Sequence, residues 1–162
     1  MRVLPAYPLF VKDPYFSVWS NTDELACEDT VLWTGKKQKT YGIITANNKS
    51  YCFLGNAKNV EKLTQTGLSV SVFRTSYRFT CSDFDLETSF FSPLPINDYE
   101  ILSCPVCYFE YTIKPKTQLR DVKVSLSLCE EWCYNDVENK EMRGDVLACE
   151  RMDVAYFGLN RQ

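Results

Sequence analysis

Leu68-Ser69-Val70-Ser71-Val72-Phe73, running on into Arg74-Thr75-Ser76-Tyr77-Arg78-Phe79-Thr80-Cys81, is the stretch that decides the fold class. Leu68, Val70 and Val72 alternate with Ser69, Ser71 and Phe73, and Tyr77, Phe79 and Cys81 keep the same two-residue step. A strand sends successive side chains to opposite faces, whereas a helix needs its apolar residues three or four apart. Two strands are therefore expected here. Residues 83–91 continue in kind, and Ser92-Pro93-Leu94-Pro95-Ile96-Asn97-Asp98 then breaks the pattern, because proline cannot donate to a ladder.

Further out, residues 106–113 and 122–128 predict two more strands, with Val122, Val124, Leu126 and Leu128 on one face of the second. Lys114-Pro115-Lys116-Thr117 predicts the turn between them. On the N-terminal side, residues 41–46 and 50–54 flank Asn47-Asn48-Lys49, where asparagine tolerates the left-handed backbone of a hairpin turn. With the weaker segments 15–20, 146–150 and 153–159, about nine to twelve short strands arise at the spacing of a sandwich or barrel, and a single all-β antiparallel sandwich is the economical reading. No amphipathic helix, internal repeat or low-complexity segment interrupts them.

A chain of 162 residues buries enough apolar surface for one domain to fold without covalent staples. Its 10 Phe, 10 Tyr and 3 Trp supply bulky rings suited to a pleated, half-buried surface. Net charge is -3 with no run of five or six like charges, so no nucleic acid is expected as a partner. The longest near-apolar stretch, residues 101–109, is too short and too interrupted to span a bilayer, so no membrane is expected either. Histidine is absent, which excludes Ser/His and Cys/His nucleophile pairs and imidazole metal sites within the chain. No catalytic residue, metal site or cofactor is assigned. Met1-Arg2-Val3-Leu4-Pro5 has no apolar signal core behind it, the pattern of a cytoplasmic protein or of a secreted one whose signal peptide has been removed.

Eight cysteines, at 27, 52, 81, 104, 107, 129, 133 and 149, form an even set, yet a chain of this length does not need them paired. Scattered core thiols are the expectation. Cys104-Pro105-Val106-Cys107 has the spacing of a redox or zinc motif, with Cys129 and Cys133 as the obvious second pair. Two residues three apart on a strand face opposite sides of the sheet, and no helix pattern follows Cys107 to lower a thiol pKa. Metal and redox roles are not expected.

The most specific strings lie at the N-terminus: Leu4-Pro5-Ala6-Tyr7-Pro8-Leu9, then Lys12-Asp13-Pro14-Tyr15-Phe16-Ser17-Val18-Trp19-Ser20, then Leu32-Trp33-Thr34-Gly35. With Phe91-Ser92-Pro93-Leu94, Asp98 and Pro105-Val106-Cys107-Tyr108, they resemble the N-terminal region of the glutaminase A family over nearly the whole chain. The resemblance implies an N-terminal β-sandwich placed before a large α-helical toroid, in proteins associated with hydrolysis of L-glutamine to L-glutamate and ammonia. Residues 1–162 are then expected to be a single N-terminal sandwich domain of a larger hydrolase, cut short at the C-terminus. The resemblance implies that its partner is the C-terminal helical domain of the same parent chain, where the catalytic residues are expected.

Pro5, Pro8 and Pro14 hold the leading segment extended, while Tyr15, Phe16 and Trp19 offer ring surface. Either these rings alternate into the core, or some of them, with Trp33, form the seam against the helical domain. Tyr15, Trp19, Trp33 and Asp98 are the interface or ligand candidates. The alternative is a carbohydrate-binding or glycoside-hydrolase accessory domain, with Trp19, Trp33 or Trp132 stacking on sugar rings and Asp98, Glu130 or Glu131 bonding hydroxyls. A third reading is a purely structural interaction domain, marked by exposed apolar patches.

Overall fold

The computed structural model describes residues 4–133 and 141–160, so the first residues of the leader and the closing Arg161-Gln162 lie outside it. Among the described residues the chain is all-β, with thirteen strands and one short α-helix. Two of the strands are only two residues long, and the others correspond to the expected number.

Strands β1 (Tyr7–Val11), β2 (Ser17–Ser20) and β3 (Val31–Leu32) form a small sheet. Strands β4 (Thr40–Ala46), β5 (Lys49–Leu54), β6 (Glu61–Lys62) and β11 (Lys123–Leu128) form a second, in the order β11-β4-β5-β6. Strands β7 (Thr64–Val70), β8 (Arg74–Thr80), β9 (Phe84–Phe91) and β10 (Tyr108–Pro115) form a third, in the order β10-β9-β8-β7. Strands β12 (Met142–Ala148) and β13 (Asp153–Leu159) make a hairpin that, among the described residues, pairs only with itself. Every pairing is antiparallel except the short β5-β6 contact, which is parallel.

The two four-stranded sheets face one another across an aromatic core. Phe53 of β5 lies against Phe79 of β8 with ring centroids 6.2 Å apart, and it stacks on Phe109 of β10 at 6.1 Å and 4°. Tyr51 meets Phe84 edge-on at 6.2 Å. Offset and edge-to-face contacts suit the ring quadrupoles and add to the area buried. Gly42 of β4 makes room for this packing, since a Cβ there would collide with the Phe53 ring. The small sheet closes one side: Phe10 meets Phe90 at 5.2 Å and 80°. A register shift between Pro8 and Phe10 lets neighbouring Leu9 and Phe10 both be buried.

Several boundaries differ from the sequence expectation for identifiable reasons. The Asn47-Asn48 turn is as expected, both residues having positive φ (52° and 61°), and it joins β4 directly to β5 at Lys49. The strand expected from residue 106 begins at Tyr108, because Val106 N–H turns back to the Cys104 carbonyl at 2.8 Å. At its other end β10 runs through Pro115, which was expected in a turn; as the closing residue of the strand it interrupts no bond within the ladder. Helix α1 (Tyr99–Ser103) was not expected, being too short to show a helical period. β7 starts four residues before Leu68, with a register shift at Gly67 where a side chain would strike the Arg78 guanidinium. In β12 the strand starts at Met142 rather than 146 and stops at Ala148, where Cys149 N–H bonds the Met152 carbonyl.

Tyr77, on the inner face of β8, is fully buried, and its hydroxyl finds no hydrogen-bond partner of acceptable geometry. Burial pushes its phenol above the ordinary tyrosine value, and the Ser20 side chain beside it offsets only part of this. A raised folded-state pKa stabilises the fold below the unfolded value and loses that contribution as pH climbs past it. Tyr77 is thus expected to cost about 1.4 kcal/mol per pH unit above about pH 10. Urea unfolding from pH 7 to 11.5 checks this: the Tyr77→Phe protein should lose stability less steeply than the parent sequence, and parallel profiles contradict it.

Candidate functional site

The strings that set this sequence apart come together at one end of the sandwich. The connection between β1 and β2, residues 12–16, is a tight loop built on Asp13. Its carboxylate accepts the backbone N–H groups of Tyr15 at 2.7 Å and Phe16 at 3.0 Å, and Lys12 N–H bonds the Phe16 carbonyl at 2.8 Å. This geometry turns Phe16 inward and Tyr15 outward, with Tyr15 83% exposed.

Trp33 sits beside this loop. Its indole N–H donates to the Pro14 carbonyl at 2.8 Å while the ring is 62% exposed. Behind it, Leu32 N–H bonds the Lys36 carbonyl and Gly35 N–H the Leu32 carbonyl, closing a turn that places Gly35 at φ 88°. Only glycine takes that backbone conformation readily. Trp19, half-buried with its indole N–H on the Ser17 hydroxyl at 2.8 Å, shares with Trp33 an open cleft of about 450 Å³ that Ala6, Asn21, Val31 and Thr34 help to line.

Lys12 ties the third element into this end. Its ammonium donates to the Pro93 carbonyl at 2.6 Å and to the Ile101 carbonyl at 2.9 Å, and Val11 N–H bonds the Ser92 hydroxyl at 3.0 Å. The segment carrying α1 is thereby held against the loop. Asp98 caps that helix, accepting Ile101 N–H at 3.0 Å, so one carboxylate oxygen already serves the backbone. Tyr99, the first residue of α1, is 80% exposed.

Of the four candidates, Trp19 and Trp33 share a cleft, Tyr15 adjoins Trp33 through Pro14, and Asp98 reaches the group only through the Lys12 clamp. Two contributors were not legible in the sequence. Lys12 acts on main-chain carbonyls far along the chain, which leaves no pattern. Tyr99 had a faint signal, an Asp cap after a proline-rich loop.

Trp132 lies beneath the same loop: half-buried in a short 3₁₀ turn, Glu130–Trp132, it packs on Phe10 and on the inward Phe16 at 5.9 and 5.6 Å. Glu131 is held by Lys39 at 2.9 Å, and this pairing raises the Lys39 pKa. That pair borders a larger surface concavity of about 650 Å³, where Lys37 is likewise paired with Asp29 at 3.0 Å. The charge there is largely matched internally.

All eight cysteines are unpaired by disulfides. Where a thiol pKa is displaced it moves up, away from thiolate: through the Glu24 hydrogen bond at Cys27, and through burial at Cys107, Cys129 and Cys133. Cys104 closes α1 and is exposed, whereas Cys107 lies half-buried beneath the Ser92 hydroxyl at 3.4 Å. Among the described residues no three His, Cys, Asp or Glu side chains gather as a metal site, and no helix is long and apolar enough to cross a membrane.

Comparison with known proteins gives a consistent direction. Glutaminase A of Aspergillus oryzae (strain ATCC 42149 / RIB 40) is 25% identical over 141 residues, which take in 82% of this chain and 20% of the relative. The chain thus spans a fifth of the length of the relative it matches. No solved structure matches it. Residues 1–65 match the family described as Domain of unknown function (DUF4964). The two matched segments share one hydrophobic core, since Leu9, Ile44 and Phe53 pack in the same cluster as Tyr77, Phe84 and Phe90, and β11 pairs with β4. With residues 73–162 matching its second segment, the chain belongs to the family described as Domain of unknown function (DUF5127).

Proposed function

We propose that this chain is the non-catalytic N-terminal β-sandwich of a glutaminase A-like hydrolase, and that its aromatic end packs against a helical catalytic part of the same parent chain. The observation that carries the reading is the exposure of three large rings on linked segments: Tyr15 on the Asp13 loop, Trp33 bonded to that loop through the Pro14 carbonyl, and Tyr99 on the helix that Lys12 of the same loop holds through the Ile101 carbonyl. Aromatic side chains that are both rigidly placed and uncovered are the residues on which interfaces concentrate their binding energy. The partial match to a glutaminase A supports the parent activity, hydrolysis of L-glutamine to L-glutamate and ammonia. The lack of histidine and the raised thiol pKa values support a scaffold role for this part.

The account expects no ammonia release from L-glutamine by residues 1–162 alone and ready release by the parent chain; turnover by the isolated sandwich at a rate near the parent's contradicts it.

A second reading is favoured by one observation, the cleft shared by Trp19 and the exposed Trp33. An exposed indole above a groove of this size suits one face of a sugar ring, with Asn21 and Thr34 beside it to bond hydroxyls. A glycan panel tests it. Binding that disappears in Trp33→Ala supports a carbohydrate-binding accessory role, and the absence of any glycan signal removes it.

A further inference from the structure

Ser92 is the last buried residue among the described part of the chain. Strands β10 to β13 carry many apolar side chains beyond it, yet none is fully covered. On the core side of β10, Phe109 stacks on Phe53, and Tyr111, 6.1 Å further along the same face, is 51% exposed. On β11, Val124 packs against the core, while Leu126 and Leu128 on the same face stay exposed. Inward-facing rows left open on both sheets mean that the sandwich gapes along one flank.

That flank is also where both ladders end. β10 is the terminal strand of its sheet and β11 of the other. Among the described residues each pairs on one side only, in unbroken register over eight and six residues. The opposite flank ends differently: β6 is two charged residues, Glu61-Lys62, and β7 is bulged at Gly67. Short, charged or bulged strands are how sheets protect an edge from further pairing. β10 and β11 are long and regular, with proline only as the closing residue of β10, and their inward faces are apolar. A helix laid on this flank covers side chains but leaves the outward N–H and C=O groups of both strands without partners, whereas a strand satisfies both needs.

We propose that further strands of the same parent chain pair with the free edges of β10 and β11 and close the sandwich along this flank. The inference rests on the reading above that the chain is part of a longer protein, for which the relative's length, of which the match spans 20%, is the support.

Hydrogen exchange on the parent chain tests it, with the outward amides of β10 and β11 compared with their intrinsic rates. Protection of about 100-fold or more is expected there. Leu126→Asp is expected to lower the parent's Tm by about 5 °C or more, and to shift that of residues 1–162, where Leu126 is already exposed, by far less. Three outcomes overturn the proposal: outward amides that exchange freely in the parent although Leu126→Asp destabilises it, the mark of a helical cover; protection that depends on concentration and is lost with Leu126→Asp, the mark of a second copy; or no protection and no effect of the substitution. If the substituted parent does not fold, exchange on the unsubstituted chain still decides. Glutamine turnover enters neither readout, so an inactive parent with protected edges removes the hydrolase reading alone.

Discussion

The ring of Phe53 is the contact on which the rest of the molecule depends. It projects from the middle of one sheet onto Phe79 and Phe109 of the other, and Gly42 behind it leaves the space it fills. Packing at native density leaves little freedom for the sheets to slide once such a ring is seated. The sheets in turn come from different parts of the chain, the one bearing Phe53 mostly from residues 1–65 and the facing one mostly from residues 73–162. Neither matched segment buries its apolar face without the other.

From that fixed pair of sheets follows the placement of the exposed end. β1 lies against β8 and β9 through Phe10 and Phe90, and β2 pairs with β1, so the loop between the two emerges at a set position. Asp13 then shapes the loop, Lys12 ties it to the segment before and within α1, and Trp33 leans on it through Pro14. The outward rings are therefore supported by main-chain hydrogen bonds on a rigid scaffold, which lowers the entropy cost of presenting them to another surface. The open flank at β10 and β11 is a different feature, made of core-type side chains that lack a covering layer.

Much of the fold was legible because a two-residue alternation has one structural meaning. The strand around Tyr77 and Phe79, the residues 83–91 strand and the Asn47-Asn48 hairpin follow from side-chain direction and left-handed turn geometry. Boundaries were less legible where a local bond outweighed the pattern, as at Val106, or where the end of a strand tolerated a residue that its interior refuses, as at Pro115. A helix of five residues leaves no periodic trace, so α1 was invisible apart from its cap. The site was legible as a set of aromatic residues, but exposure was not: Trp33 and Trp132 look alike in sequence, and only the structure shows one open and the other packed between Phe10 and Phe16. Asp98 was singled out as a ligand candidate, and its observed contact is with the backbone of its own helix.

The central claim is that Tyr15, Trp33 and Tyr99 form the face by which this sandwich meets the rest of its parent chain. Hydroxyl-radical footprinting read by mass spectrometry measures the solvent access of those rings directly, in residues 1–162 and in the parent. The account predicts high reactivity of all three in the short chain and a several-fold loss at all three in the parent, with Val72, also exposed, as a reference site. Equal reactivity of the three rings in both proteins contradicts it.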